Sequence, residues 1–163
     1  MSENSENLER GKTQSKTKSK TSKLSCQDYA LFLLSLRAQS TATLKEKLQR
    51  KAYQAAEISA AIKRLTELSY LNDDQFAQIF FDNLKKYKGF GYFGIKKKLM
   101  LKKIGNPVIE RLLKSLSLKE ETEIAQRQLA RQKSKTYEQK ARMLQAKGFR
   151  PAVIFQVVKV DVE

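Results

Sequence analysis

The chain has 163 residues, with 33 Lys or Arg, 17 Asp or Glu, one cysteine and no histidine, for a formal charge of +16. A charge of that size calls for an anionic partner: nucleic acid, an acidic protein surface or an anionic membrane. The missing histidine removes the commonest general base and metal ligand, and one thiol excludes an internal disulfide or a multi-cysteine zinc site.

Residues 1–24 differ from the rest, and from Gly11 to Leu24 they rotate Ser, Thr and Lys with almost nothing apolar. Such a segment cannot offset the entropy of ordering, so a disordered basic tail is expected there. Glu3, Glu6 and Glu9 halve its charge, which favours a solubilising tail over a phosphate-binding arm. It carries no signal-peptide core. No later run approaches the ~20 apolar residues that span a bilayer. A cytoplasmic protein without membrane contact is expected, and the single cysteine suits a reducing compartment.

From Ser25 onward the pattern is helical. An apolar-faced helix runs through residues 29–37, with Ser25 and Asp28 placed to cap it. Cys26 stands at this helix start, where a reactive thiolate is conceivable, but no histidine exists to pair with it. Ser40 opens a second helix, and a third covers about 55–68, with Ile58, Ile62 and Leu65 on one face.

That unit recurs. Leu44, Leu48, Lys51, Tyr53, Ile58 and Ile62 are separated by four, three, two, five and four residues. Ile95, Leu99, Lys102, Ile104, Ile109 and Leu113 repeat those gaps, as do Lys140, Leu144, Lys147, Phe149, Ile154 and Val158. A helix carrying Ala30, Ala77 or Ala125 precedes each set, and Pro107 and Pro151 sit where a last helix begins. The expected fold is all-α, an elongated array of three tandem three-helix repeats over 25–72, 73–118 and 119–163.

Asp73 and Asp74 open the second repeat. Adjacent carboxylates point apart on a helix, so helix capping and charge at its N-terminus account for them better than metal binding or catalysis. Next comes a segment reading Gly89-Phe90-Gly91-Tyr92-Phe93-Gly94, which satisfies the dinucleotide fingerprint G-x-G-x-x-G, with Glu110 about twenty residues on. The fingerprint needs a strand before it. Here Phe76, Ala77, Phe80, Phe81 and Leu84 space as a helix. The glycines are therefore expected in an elongated first loop of repeat two, allowing a tight helix–helix passage, and no cofactor is expected.

The lysines around that loop carry more meaning. Residues 74–118 hold ten basic against three acidic side chains, whereas residues 26–73 hold seven against five. With Tyr87, Phe90, Tyr92 and Phe93 interleaved, this middle repeat is expected to face a polyanion. The aromatics could stack on single-stranded bases, although Phe90 and Phe93 are expected in the core.

Taken in order, residues 30–53 resemble the first repeat of the RecX family of regulatory proteins. The segment Leu68-Ser-Tyr-Leu-Asn-Asp-Asp-Gln-Phe-Ala77 resembles that family's Gly-Tyr-Leu-Asp-Asp-x-x-Phe-Ala. The stretch from Gly91 to Ile104 and the Lys147-Gly-Phe149 turn match its second and third units. Ser69, Ala52 and Lys103 depart from it, standing where glycine is usual. The resemblance implies a modulator, mostly an inhibitor, of RecA recombinase. Such a protein lies along the groove of the RecA–DNA filament, bridges neighbouring subunits, and blocks strand exchange, ATP hydrolysis and SOS co-protease activity. It implies no catalysis, and a monomer is expected.

The binding face is then expected to comprise Lys85, Lys86, Lys88, Lys96, Lys97, Lys98, Lys102 and Lys103 of the middle repeat. Arg50, Lys51, Arg142, Lys147 and Arg150 join them from equivalent places in the other two. The alternatives are a helical DNA-binding protein acting without RecA, and an enzyme using the glycine loop on a nucleotide.

Overall fold

The computed structural model describes residues 24–132 and 136–159; the expected tail lies outside them, apart from Leu24. Every regular element among the described residues is helical. Repeat one holds α1 (Cys26–Leu36), α2 (Thr41–Arg50) and α3 (Ala55–Glu67). Repeat two holds α4 (Asp73–Asn83), α5 (Tyr92–Leu101) and α6 (Asn106–Lys114). Repeat three holds α7 (Leu118–Ala130), α8 (Tyr137–Ala146) and α9 (Pro151–Lys159).

The helix starts follow from short polar side chains. The side chains of Ser25, Ser40, Asn72, Ser117 and Thr136 each accept a hydrogen bond from the backbone N–H three residues on, satisfying donors that a helix leaves open. Gln54 and Thr136 do so within reciprocal capping boxes. Asn72 caps α4, and Asp73 and Asp74 lie in its first turn.

The stripes read from the gaps form the core. Leu44, Leu48, Ile58 and Leu65 pack with Ala30 and Leu71 in one cluster within repeat one. Repeats two and three share a second cluster, where Phe81, Ile95, Leu99, Ile109 and Leu113 meet Ile124, Leu144, Phe149, Val153 and Val158. Three turns join the second helix of each repeat to the third with the same left-handed backbone: Ala52 at φ 62°, Lys103 at 55° and Gly148 at 73°. Ser69 adopts it as well, at 60°. The turn geometry thus survives without glycine, at about 1–2 kcal/mol per non-glycine residue.

The elongated loop expected at residues 89–94 is shorter than that. A π-helical turn, Leu84–Lys88, extends α4 and absorbs most of the extra chain before Gly89 ends it at φ 60°. Tyr92, Phe93 and Gly94 already belong to α5. Phe90 is half-buried against the core, but Phe93, expected inside, is 52% exposed. As the second residue of α5 it lies off the stripe set by Ile95 and Leu99.

Candidate nucleic-acid interface

The glycine segment is a joint between repeats. The start of α5 lies against the α8–α9 turn: the N–H of Gly91 donates to Lys147 O at 3.1 Å, and those of Phe93 and Gly94 donate to Gly148 O at 2.8 and 3.3 Å. The N–H of Tyr92 donates to Glu121 Oε1 at 3.0 Å. Glu121 is fully buried, also accepts the N–H of Arg150 at 3.0 Å, and pairs with the Arg150 guanidinium. A Cβ on Gly91 would collide with the backbone of Phe149, one on Gly94 with Lys147, and one on Gly148 with Gly94. The amides that a phosphate would need at this helix start are spent on protein, and the backbone of residues 147–149 fills the space above the glycines. The dinucleotide reading has no room here.

A related joint links repeats one and two. Ser40 and Gly91 each stand four residues before the first stripe residue of their helix, Leu44 and Ile95. Ser40 Oγ donates to Lys102 O at 2.5 Å, and Thr43 Oγ1 reaches the same oxygen at 3.5 Å. The N–H of Thr41 donates to Asp73 Oδ1 at 2.7 Å. Asp73 and Glu121 both lie four residues before a buried alanine, Ala77 and Ala125. Each carboxylate caps the second helix of the preceding repeat. Cys26 holds that position relative to Ala30. It is buried, and burial followed by Glu57 pushes its thiol above the ordinary range, the opposite of what a thiolate nucleophile requires.

The structure divides the thirteen candidate cations. Five are held by neighbours. Lys85 contacts Glu120 at 2.8 Å and Asp82 at 3.5 Å, beneath which its ammonium lies 4.5 Å from the Phe81 ring. Lys96 pairs with Glu110 at 2.9 Å, which raises its proton affinity. Lys103 pairs with Glu46, Arg150 with Glu121, and Lys147 donates to Lys88 O at 2.8 Å. Partial burial and then Arg131 depress the proton affinity of Lys147. Lys51, Lys98 and Lys102 stand over the rings of Tyr29, Phe90 and Phe80. Arg50, Lys86, Lys88, Lys97 and Arg142 project into solvent.

The aromatics divide in the same way. Tyr87 is 73% exposed beside Lys86 and Lys88. Phe93 lines a shallow depression of about 410 Å³ with Lys96, Lys97, Met100 and Leu101 along α5. Phe90 and Tyr92 are instead covered by cations: Lys98 and Lys147 lie over Phe90, and Arg150 over Tyr92. Residue types alone missed a further cluster, in which Arg37 and Lys102 lie close enough to Lys47 to disfavour its charge, after the effect of burial. No linear spacing signals it, because its members come from a loop, a helix and a turn.

Residues 26–65 match the family model for the first three-helix domain of RecX. The regulatory protein RecX of Bacillus subtilis is 33% identical over 128 residues, which cover 74% of this chain and 48% of that protein. The chain therefore spans about half the length of that relative. RecX of Vibrio vulnificus is 29% identical over 139 residues, covering 77% of this chain and 86% of that one. The crystal structure of RecX from Lactobacillus salivarius superposes with a TM-score of 0.69 at 24% identity, over 83% of this chain and 93% of the other. That likeness concerns the fold.

Proposed function

The chain belongs to the RecX family, and we propose that it regulates RecA by binding the RecA–DNA filament and inhibiting strand exchange, ATP hydrolysis and SOS co-protease activity. It acts in the cytoplasm as a monomer, without catalysing a reaction. The observation that carries this reading is an array of jointed helical repeats whose middle unit sets outward lysines beside exposed aromatic rings. Lys86, Lys88 and Lys97 point outward there beside the exposed rings of Tyr87 and Phe93. A jointed array can span successive subunits of a polymer, and basic groups with free aromatic faces suit a phosphate backbone and unpaired bases. Obstruction needs no catalytic group.

Titrating the protein into RecA turning over ATP on single-stranded DNA tests the reading: ATPase should fall toward a plateau as the filament is occupied. A rate that stays level would contradict it. The exposed rings also support a second reading, a helical protein that binds DNA independently of RecA. Tight binding to naked strands with an unaltered RecA ATPase would select that one.

A further inference from the structure

An apolar groove runs between the C-terminal end of α1 and the outer face of α4. Two adjoining cavities, of about 270 and 220 Å³, share Ala38, Phe76 and Ile79 as lining. Ile79 is 53% exposed despite its aliphatic side chain. Leu34 and Gln39 line the smaller cavity, and Phe80 the larger. Gln39 is buried, and its Oε1 has no hydrogen-bond donor among the described residues. Arg37 and Lys102 border the larger cavity, with Lys47 within electrostatic reach of both. None of the three is ion-paired among the described residues, although most of the candidate cations nearest the joints have found a carboxylate.

We propose that this groove is a docking site for an acidic segment of a partner protein, anchored by one large apolar side chain. Arg37 and Lys102 on the rim of an apolar cleft, neither ion-paired among the described residues, complement carboxylates flanking a hydrophobic residue. A nucleic-acid strand fits the cleft less well. Phe76 and Phe80 stack on each other at 5.8 Å, and the Lys102 ammonium stands 5.7 Å over the Phe80 ring, so that ring is already engaged. Ile79, Leu34 and Ala38 offer a base no stacking face, which leaves Tyr70 at the smaller cavity as the ring open to one. This separates Lys102 from the DNA-facing lysines. The inference rests on the RecA reading only for the partner's name: there the segment belongs to a RecA subunit.

The test uses the full chain and three labelled probes read by fluorescence anisotropy. These are a fifteen-residue Glu/Ser peptide with one central Phe, the same peptide with Ala in its place, and a fifteen-nucleotide oligothymidylate. The Phe peptide should bind at least ~10-fold tighter than the Ala peptide. Ile79→Glu and Arg37→Glu, both at exposed positions, should each weaken the Phe peptide about 10-fold. Ile79→Glu should leave oligothymidylate binding within about twofold. Equal affinity for the two peptides, or no loss in Ile79→Glu, overturns the proposal. Parallel loss of oligothymidylate binding does so too, by making the groove a nucleic-acid site. The RecA ATPase titration separates this from the functional reading. Peptide selectivity with a level ATPase keeps the groove and removes RecA as its partner, whereas a falling ATPase without peptide selectivity removes the groove alone.

Discussion

The two joints perform one task with different chemistry. Between repeats one and two, the hydroxyls of Ser40 and Thr43 reach across to Lys102 O, and side chains keep the backbones apart. Between repeats two and three, the α5 amides bond directly to Lys147 and Gly148 carbonyls, and the backbones touch. The difference explains where glycine is obligatory. At the first joint the left-handed turn residue can be Lys103, whereas at the second only Gly148 fits against Gly94. The core follows suit: repeats two and three share one apolar cluster and repeat one keeps its own.

Substitutions at matched positions sharpen that contrast. The largest effect is expected at the capping carboxylates. Glu121→Ala strands Arg150 and two amides at a fully buried site and should cost about 3–5 kcal/mol. Asp73→Ala, at an exposed site with one amide to satisfy, should cost about 0.5–2 kcal/mol. Urea denaturation measures both, and equal losses would break the distinction between the joints. Next in size, Gly94→Ala should cost about 1–3 kcal/mol or more through overpacking, against about 1 kcal/mol for Thr43→Ala at the corresponding place. Ala52→Gly should run the other way and stabilise by roughly 1 kcal/mol, since Ala52 holds a left-handed φ with no joint to satisfy. Lys103→Gly gains less, because it also loses the pairing with Glu46. The smallest signal concerns Cys26, whose burial raises its thiol pKa. Iodoacetamide should label it only as repeat one unfolds, and rapid labelling of the native protein would contradict its place in that core.

Much of this architecture was legible in the sequence because the apolar gaps are set by helix geometry. Leu44, Ile95 and Leu144 fall on fully buried stripes as their spacing requires, and the turns keep their form even where Ala52 and Lys103 replace glycine. An acid stands four residues before each joint's alanine, aspartate at 73 and glutamate at 121, yet its role as a cap on another repeat appears only in three dimensions. The binding cations were far less legible. A lysine's reach lets it find a carboxylate 57 residues away, as Lys103 does with Glu46, and nothing local distinguishes it from Lys97, which finds none among the described residues. Phe93 misled for a related reason: an aromatic between glycines suggests packing, but its position on α5 turns it outward.

We propose that the outward cations of the middle repeat bind the filament, while Lys103, paired across the first joint, and Lys96, paired within repeat two, hold helices together. Affinity for RecA–single-stranded DNA filaments, followed across a salt series, tests it most directly. The triple variant Lys86→Glu, Lys88→Glu, Lys97→Glu should lose at least ~10-fold in affinity and flatten the salt slope by about one unit per phosphate-contacting lysine. The double variant Lys96→Gln, Lys103→Gln should stay within about threefold of the parent. An unchanged triple variant beside a crippled double variant would contradict the assignment.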